Sequence, residues 1–162
     1  MYIVDSNCFI QNYRLYNPMD IALSFWTKTT ELVNGKKIYS IDKVKSELLS
    51  GKDKLSEWTK KVISQFFFLP ITAVEMNAYA TIVQWASESD YKPQAKDLFM
   101  RPGYADPFLV AYALSHENVT VVTEEVGARD SKKDIKLPDV CTHFGVRPIH
   151  FMDMLREMGV TY

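Results

Sequence analysis

Two cysteines in 162 residues, Cys8 and Cys141, are too few and too far apart for a disulfide framework. The six glycines are isolated, and none belongs to the glycine-rich loop that cradles phosphates in nucleotide-binding folds. No apolar run approaches the roughly 20 residues of a membrane-spanning helix. Residues 1–5 carry no basic n-region and are too short for a signal peptide, so no membrane association and a cytoplasmic location are expected. A net charge of −1 excludes a chain that seeks polyanions with its whole surface. The three histidines, His116, His143 and His150, are scattered, and Cys141-Thr-His143 lacks the second pair that a zinc site requires. Repeats, low-complexity segments and linkers are absent too, so the length fits one domain spanning residues 1–162.

What is present is the composition of a globular α/β protein. Short β-branched runs of strand length occur at residues 1–4 and 119–123, with weaker ones at 38–41, 66–69 and 146–149. Helical patterns lie between them. Asn17-Pro18 reads as a cap followed by proline at the first helical position, with Ile21, Phe25, Trp26, Leu32 and Val33 at helical spacing until Gly35. Leu55, Trp58, Val62 and Ile63 form a second apolar face, and Thr72-Ala-Val-Glu75 is a capping box. Residues 87–103, polar and carrying Pro93 and Pro102, read as an inserted loop with a short helix. Strands alternating with helices predict a mostly parallel sheet covered on both faces.

Four acidic positions fall where these segments begin or end: Asp5, Glu47, Asp106 and the Glu124-Glu125 pair. In open parallel sheets ligands bind beyond the carboxyl ends of the strands, and Asp5 and Glu124-Glu125 belong to that edge. Asp106, before Pro107, reads as a helix N-cap, and Glu47 shares a helix face with Val44, directed at the body of the protein. Each has a plain alternative, as a cap, a half-buried surface glutamate or a turn opener. Asp5 is the hardest to dismiss, because Asp5-Ser6-Asn7 offers no basic partner. Carboxylates gathered in one pocket repel one another, and a hard cation such as Mg²⁺ or Mn²⁺ relieves the conflict. Asp5-Ser6-Asn7-Cys8 lacks the second aspartate of a haloacid-dehalogenase-like phosphatase.

Charge is also uneven along the chain. Residues 36–61 hold eight lysines, Lys43 and Lys45 among them, against four acidic residues, and residues 129–136 hold Arg129 and three lysines against two. Either stretch suits a solvated face or a phosphate-contact surface. Tyr13, Tyr16, Tyr91 and Tyr104 have the chemistry to stack on bases, although core or surface packing explains each as well. Met152, Met154 and Met158 read as helix packing.

Taken in order, Tyr2-Ile3-Val4-Asp5-Ser6-Asn7, Val44-Lys-Ser-Glu47-Leu48, Ala105-Asp106-Pro107-Phe108-Leu109-Val110-Ala111 and Val121-Val122-Thr123-Glu124-Glu125 resemble the PIN-domain nucleases. Within them, Leu137-Pro138-Asp139-Val140-Cys141 and His143-Phe144-Gly145-Val146 resemble the DUF4411 group of PIN-like proteins, related to VapC-like toxin nucleases. The resemblance implies a three-layer α/β/α domain whose central sheet has the order 3-2-1-4-5. It implies Asp5, Glu47, Asp106 and Glu125 as catalytic metal ligands for Mg²⁺ or Mn²⁺, with Glu124 the competing neighbour of Glu125. Ser6 and Thr123 would support the ligands, and Lys43, Lys45 and Arg129 would hold the substrate backbone. The implied activity is metal-dependent endoribonuclease cleavage by the toxin of a toxin–antitoxin pair, with RNA as substrate, an antitoxin protein as partner and a homodimer as a common assembly. Nothing in the residues separates RNA from DNA. The rival reading is a non-catalytic PIN-like module that binds RNA or protein.

Overall fold

The computed structural model describes residues 1–162 as a mixed α/β protein with five short strands and nine α-helices. Strand β1 (Tyr2–Val4) pairs with β4 (Thr120–Val122), which pairs with β5 (Arg147–Ile149). Strands β2 (Ser40–Ile41) and β3 (Phe68–Leu69) form a separate pair, and every pairing is parallel. Where one continuous sheet is expected, the hydrogen bonding thus divides into sets of three and two. A single bridge joins them: Val4 N–H donates to Tyr39 O at 2.8 Å, and Tyr39 N–H donates to Tyr2 O at 3.0 Å. Beyond it the Ser40 hydroxyl donates to Val4 O at 2.5 Å, and Ser40 N–H donates to Phe67 O in the pairing of β2 with β3.

The register of the three-stranded set positions the site. Tyr2 lies opposite Thr120 and Val4 opposite Val122, so Asp5 and Thr123 leave the sheet side by side at its carboxyl edge. Asp5 N–H donates to Val122 O at 2.9 Å, which fixes this exit. The helices α1 (Ser6–Gln11), α2 (Leu23–Asn34), α3 (Asp42–Leu49) and α4 (Lys54–Lys61) follow in chain order. They are joined by α5 (Ala73–Glu88), α6 (Pro93–Phe99), α7 (Asp106–Ser115), α8 (Leu137–His143) and α9 (Phe151–Glu157). Helix α7 is apolar all round and buried from Asp106 to Ala113, as a helix at the centre of a domain must be. Its outer neighbour is α5, whose Tyr79 stacks on Phe108 at 4.2 Å. On the other side, Phe9 meets Trp58, Phe67 and Phe151 within 6.3 Å, tying α1 to α4 and α9. Each such side chain stabilises the fold by roughly 1.5–3 kcal/mol through burial.

Two helix starts differ from expectation. Pro18 does not open a helix: α2 begins at Leu23, after a π-helical turn at Asn12–Tyr16. Asn17 caps no helix: its side-chain amide donates to Asn12 Oδ1 at 2.7 Å, and its backbone carbonyl accepts the Trp26 indole N–H at 2.6 Å. In α7 the N-cap is Ala105, and Asp106 stands one position inside, so its side chain caps nothing. The polar segment at 87–103 does contain a short helix, α6.

The capping box at Thr72 is formed as expected, with an addition. Glu75 is buried, and accepts from Thr72 N and Thr72 Oγ1 and from His116 Nε2, the last at 2.7 Å. It therefore fastens the start of α5 to the end of α7. Glu75→Gln is expected to lower stability at pH 7 by about 1–3 kcal/mol, read as an earlier midpoint in urea unfolding. Burial alone would raise the Glu75 pKa, but the bonds from Thr72 and His116 outweigh it and hold the pKa at about 2. A carboxyl depressed in the folded state contributes above its unfolded pKa, and that contribution vanishes as pH falls through about 2. Wild type and variant should converge in acid, whereas equal midpoints at pH 7 would refute the fastening role.

Candidate functional site

Four carboxylates from distant parts of the chain, Asp5, Glu47, Asp106 and Glu125, lie near enough to act on one another's charge, and together they form an acidic pocket at the carboxyl edge of the sheet. Asp5 ends β1 and caps α1, with both oxygens engaged: Oδ1 accepts from Ser6 N–H at 2.6 Å and Oδ2 from the Thr123 hydroxyl at 3.1 Å. Glu47 reaches in from α3, where Oε2 accepts from the Ser6 hydroxyl at 2.6 Å and Oε1 from Ala105 N–H at 3.2 Å. That second bond ties α3 to the residue preceding Asp106. Asp106 is buried, and its Oδ2 has no hydrogen-bond partner at all. Ser6 thus bonds both Asp5 and Glu47, and Thr123 bonds Asp5.

The Glu124-Glu125 pair separates cleanly. Successive side chains leaving a strand diverge, and here they go to different helices. Glu124 Oε1 accepts Phe151 N–H at 2.9 Å and so caps α9, with His150 Nδ1 3.8 Å from Oε2. Glu125 Oε2 accepts Leu137 N–H at 3.0 Å, the first residue of α8, and its charge acts on both Asp5 and Asp106. Glu125, not Glu124, belongs to the acidic pocket.

The electrostatics follow from crowding without a cation. Burial raises the Asp5 pKa to about 7, and the charges of Glu47 and Glu125 add to the rise against the Thr123 and Ser6 hydrogen bonds. Asp106 is pushed well above the usual range by burial and then by Asp5, Glu125 and Glu47, with the Tyr104 hydroxyl opposing. The same field, after burial, raises the Tyr104 phenol and the Cys141 thiol. Every pocket carboxyl is an oxygen donor of the kind Mg²⁺ and Mn²⁺ prefer, and Asp106 Oδ2 is a buried acceptor without a donor. The donor chemistry fits such an ion. The side chains as they stand are held by Ser6, Ala105 and Leu137, and no three approach closely enough to chelate one.

Two residues beside the carboxylates, Asn7 and Tyr104, are not assigned to the site by sequence. Asn7 accepts Glu124 N–H at 2.8 Å and donates to the Thr123 hydroxyl at 3.0 Å, which clamps the β4 exit onto α1. Only its position two residues after Asp5 hinted at a role. Tyr104 faces Asp106 from the loop before α7. The expected substrate contacts lie outside the pocket: Lys43 Nζ sits over the Phe108 ring at 5.1 Å, Lys45 Nζ over Phe68 at 5.7 Å, and Arg129 is exposed on the 125–136 loop. No helix is long and apolar enough to cross a membrane.

No curated protein matches the chain. Residues 2–162 match the model of a family described as a domain of unknown function (DUF4411), and the protein belongs to that family.

Proposed function

We propose that the protein is a Mg²⁺- or Mn²⁺-dependent endoribonuclease with a PIN-like fold, acting as the toxin of a toxin–antitoxin pair. The observation that carries this reading is the acidic pocket, in which four carboxylates converge with no basic residue among the groups that bond or perturb them. A folded protein retains such mutual repulsion where a cationic ligand offsets it. The Tyr39 bridge between the two strand sets supports reading them as one interrupted sheet of order 3-2-1-4-5.

Asp5, Glu47, Asp106 and Glu125 would hold the ion, which when bound supplies charge neutralisation and water activation for phosphodiester hydrolysis. The chain's own groups orient this set. Ser6 spans Asp5 and Glu47, and Thr123 fixes the second oxygen of Asp5. Asn7 holds the backbone at Glu124, so that Glu125 faces inward. The protein offers no covalent nucleophile here, since Cys8 and Cys141 are buried with raised thiol pKa values. Lys43, Lys45 and Arg129 are the cations available to the phosphate backbone. An antitoxin protein and a second copy of the chain are the partners this reading expects.

Incubating RNA with the full chain and Mn²⁺ tests the proposal. Cleavage should be lost with a chelator and in Asp5→Asn and Glu125→Gln. Glu124→Ala should retain cleavage but lose about 1 kcal/mol of stability with the α9 cap. Cleavage that survives both Asp5→Asn and Glu125→Gln would sink the mechanism. Metal-independent RNA binding without cleavage would favour the non-catalytic module, a reading that the engaged oxygens of Asp5, Glu47 and Glu125 also accommodate.

A further inference from the structure

Away from the acidic pocket, a cleft of about 430 Å³ opens between the last turn of α5, the turn at 89–92, the 125–136 loop and α8. Its volume suits a ligand of nucleotide size. One wall is aromatic: the Trp85 indole stacks on the His143 imidazole at 4.7 Å and meets Tyr91 edge-on at 6.2 Å. These rings lie at the rim of the core, with Trp85 and Tyr91 half-buried against it and His143 exposed.

The charges around the wall are arranged unequally. Lys132 is committed to Asp90 at 2.9 Å and lies over the Tyr91 ring at 5.0 Å. Asp139 is turned toward the loop backbone, accepting Ala128 N–H at 2.7 Å and packing so closely on Gly127 that a Cβ there would come within 2.5 Å of Oδ1. Arg129, next in the chain, lines the cleft with no carboxylate paired to it. The loop that carries it is pinned to α8 twice, at Glu125–Leu137 and at Ala128–Asp139. An unpaired guanidinium on a fastened loop beside a partly exposed aromatic wall matches a phosphate next to a base. Stacking accepts any base, and guanidinium binds phosphate bidentately.

We propose that this cleft binds one unpaired nucleotide of a single-stranded RNA, with the base against Trp85, Tyr91 and His143 and a phosphate on Arg129. The proposal rests on the nuclease reading for its choice of RNA. The pinned loop connects the two sites, because Glu125 faces the acidic pocket and Arg129, four residues on, faces the cleft.

The test is anisotropy of a short fluorescein-labelled single-stranded RNA with full-length Asp106→Asn protein, without divalent metal, and with AMP as competitor. Added Arg129→Ala and Tyr91→Ala are each expected to weaken binding about fivefold or more. AMP should displace the RNA, and the melting temperature of the Arg129→Ala protein should be unchanged. RNA affinity unaltered by both substitutions would overturn the proposal. AMP binding that Arg129→Ala abolishes while RNA binding persists would overturn the RNA assignment in favour of a free mononucleotide site. Neither metal nor cleavage enters the measurement, so intact RNA binding by a protein that never cleaves would sink the nuclease reading alone.

Discussion

Asp106→Asn is expected to raise the melting temperature of the metal-free protein while reducing the proposed Mn²⁺-dependent RNA cleavage on the order of 10³-fold. The two effects share one cause. Asp106 is buried beside Asp5, Glu125 and Glu47, and its Oδ2 receives no hydrogen bond. Its carboxyl is therefore harder to ionise in the folded chain than in the unfolded one. For such a group the unfolded state gives up its proton first, so stability falls as pH rises from the unfolded carboxylate pKa through the folded value. The amide keeps the shape and removes the charge. A gain of about 0.5–2 kcal/mol is reasonable for relieving a site of this kind, equivalent to roughly 2–6 °C for a chain of this size. The gain should be largest above neutrality and disappear in acid, where the wild-type carboxyl is itself protonated. The loss of activity corresponds to about 4 kcal/mol of transition-state stabilisation, the scale of charge stabilisation by a bound ion. Differential scanning fluorimetry across pH, paired with a cleavage assay, measures both. A variant that is less stable than wild type at pH 8 would contradict the repulsion.

How much of this site is legible in the chain depends on the range of the interactions that build it. Asp5 is readable because the β-branched run before it ends there, and the strand and its exit are local facts. The same holds for the Thr72 capping box, the end of α2 at Gly35 and the all-apolar face of α7. The Glu124-Glu125 choice is not local. The two side chains are parted by the N–H groups of Phe151 and Leu137, which arrive from two later helices. Asn7 is invisible for the same reason, since its partner Thr123 lies 116 residues away. The absent helix start at Pro18 is not visible in spacing either, because Asn17 is instead bonded to the side chains of Asn12 and Trp26. The division of the strands into two sets is equally non-local, since at the seam the Val4 carbonyl accepts from the Ser40 hydroxyl, 36 residues on.

The second large effect is expected from metal itself. Mn²⁺ should raise the melting temperature of the wild-type protein, and the rise should grow steeply between pH 6 and pH 8. Ligands must be deprotonated to bind, and Asp5 titrates at about 7 in the folded chain. At pH 6 an incoming ion has to displace a proton from Asp5, and at pH 8 it does not. Across that interval the apparent affinity should climb about tenfold, or roughly 1.4 kcal/mol, which adds about 3–6 °C to the thermal shift at a fixed, saturating concentration. The other groups facing Asp5 are Glu47, Glu125 and Asp106, with Cys8, Tyr104 and Cys141 around them. The three thiol and phenol groups have raised pKa values and stay neutral through the window, so they contribute no competing titration. Asp106, itself raised, reinforces the slope in the same direction. In Asp5→Asn the Mn²⁺ shift should shrink at every pH, because one donor charge is gone, and its pH slope should flatten. A wild-type shift that is independent of pH, or one that Asp5→Asn reproduces in full, would place the ion elsewhere on the protein and remove the acidic pocket as its site.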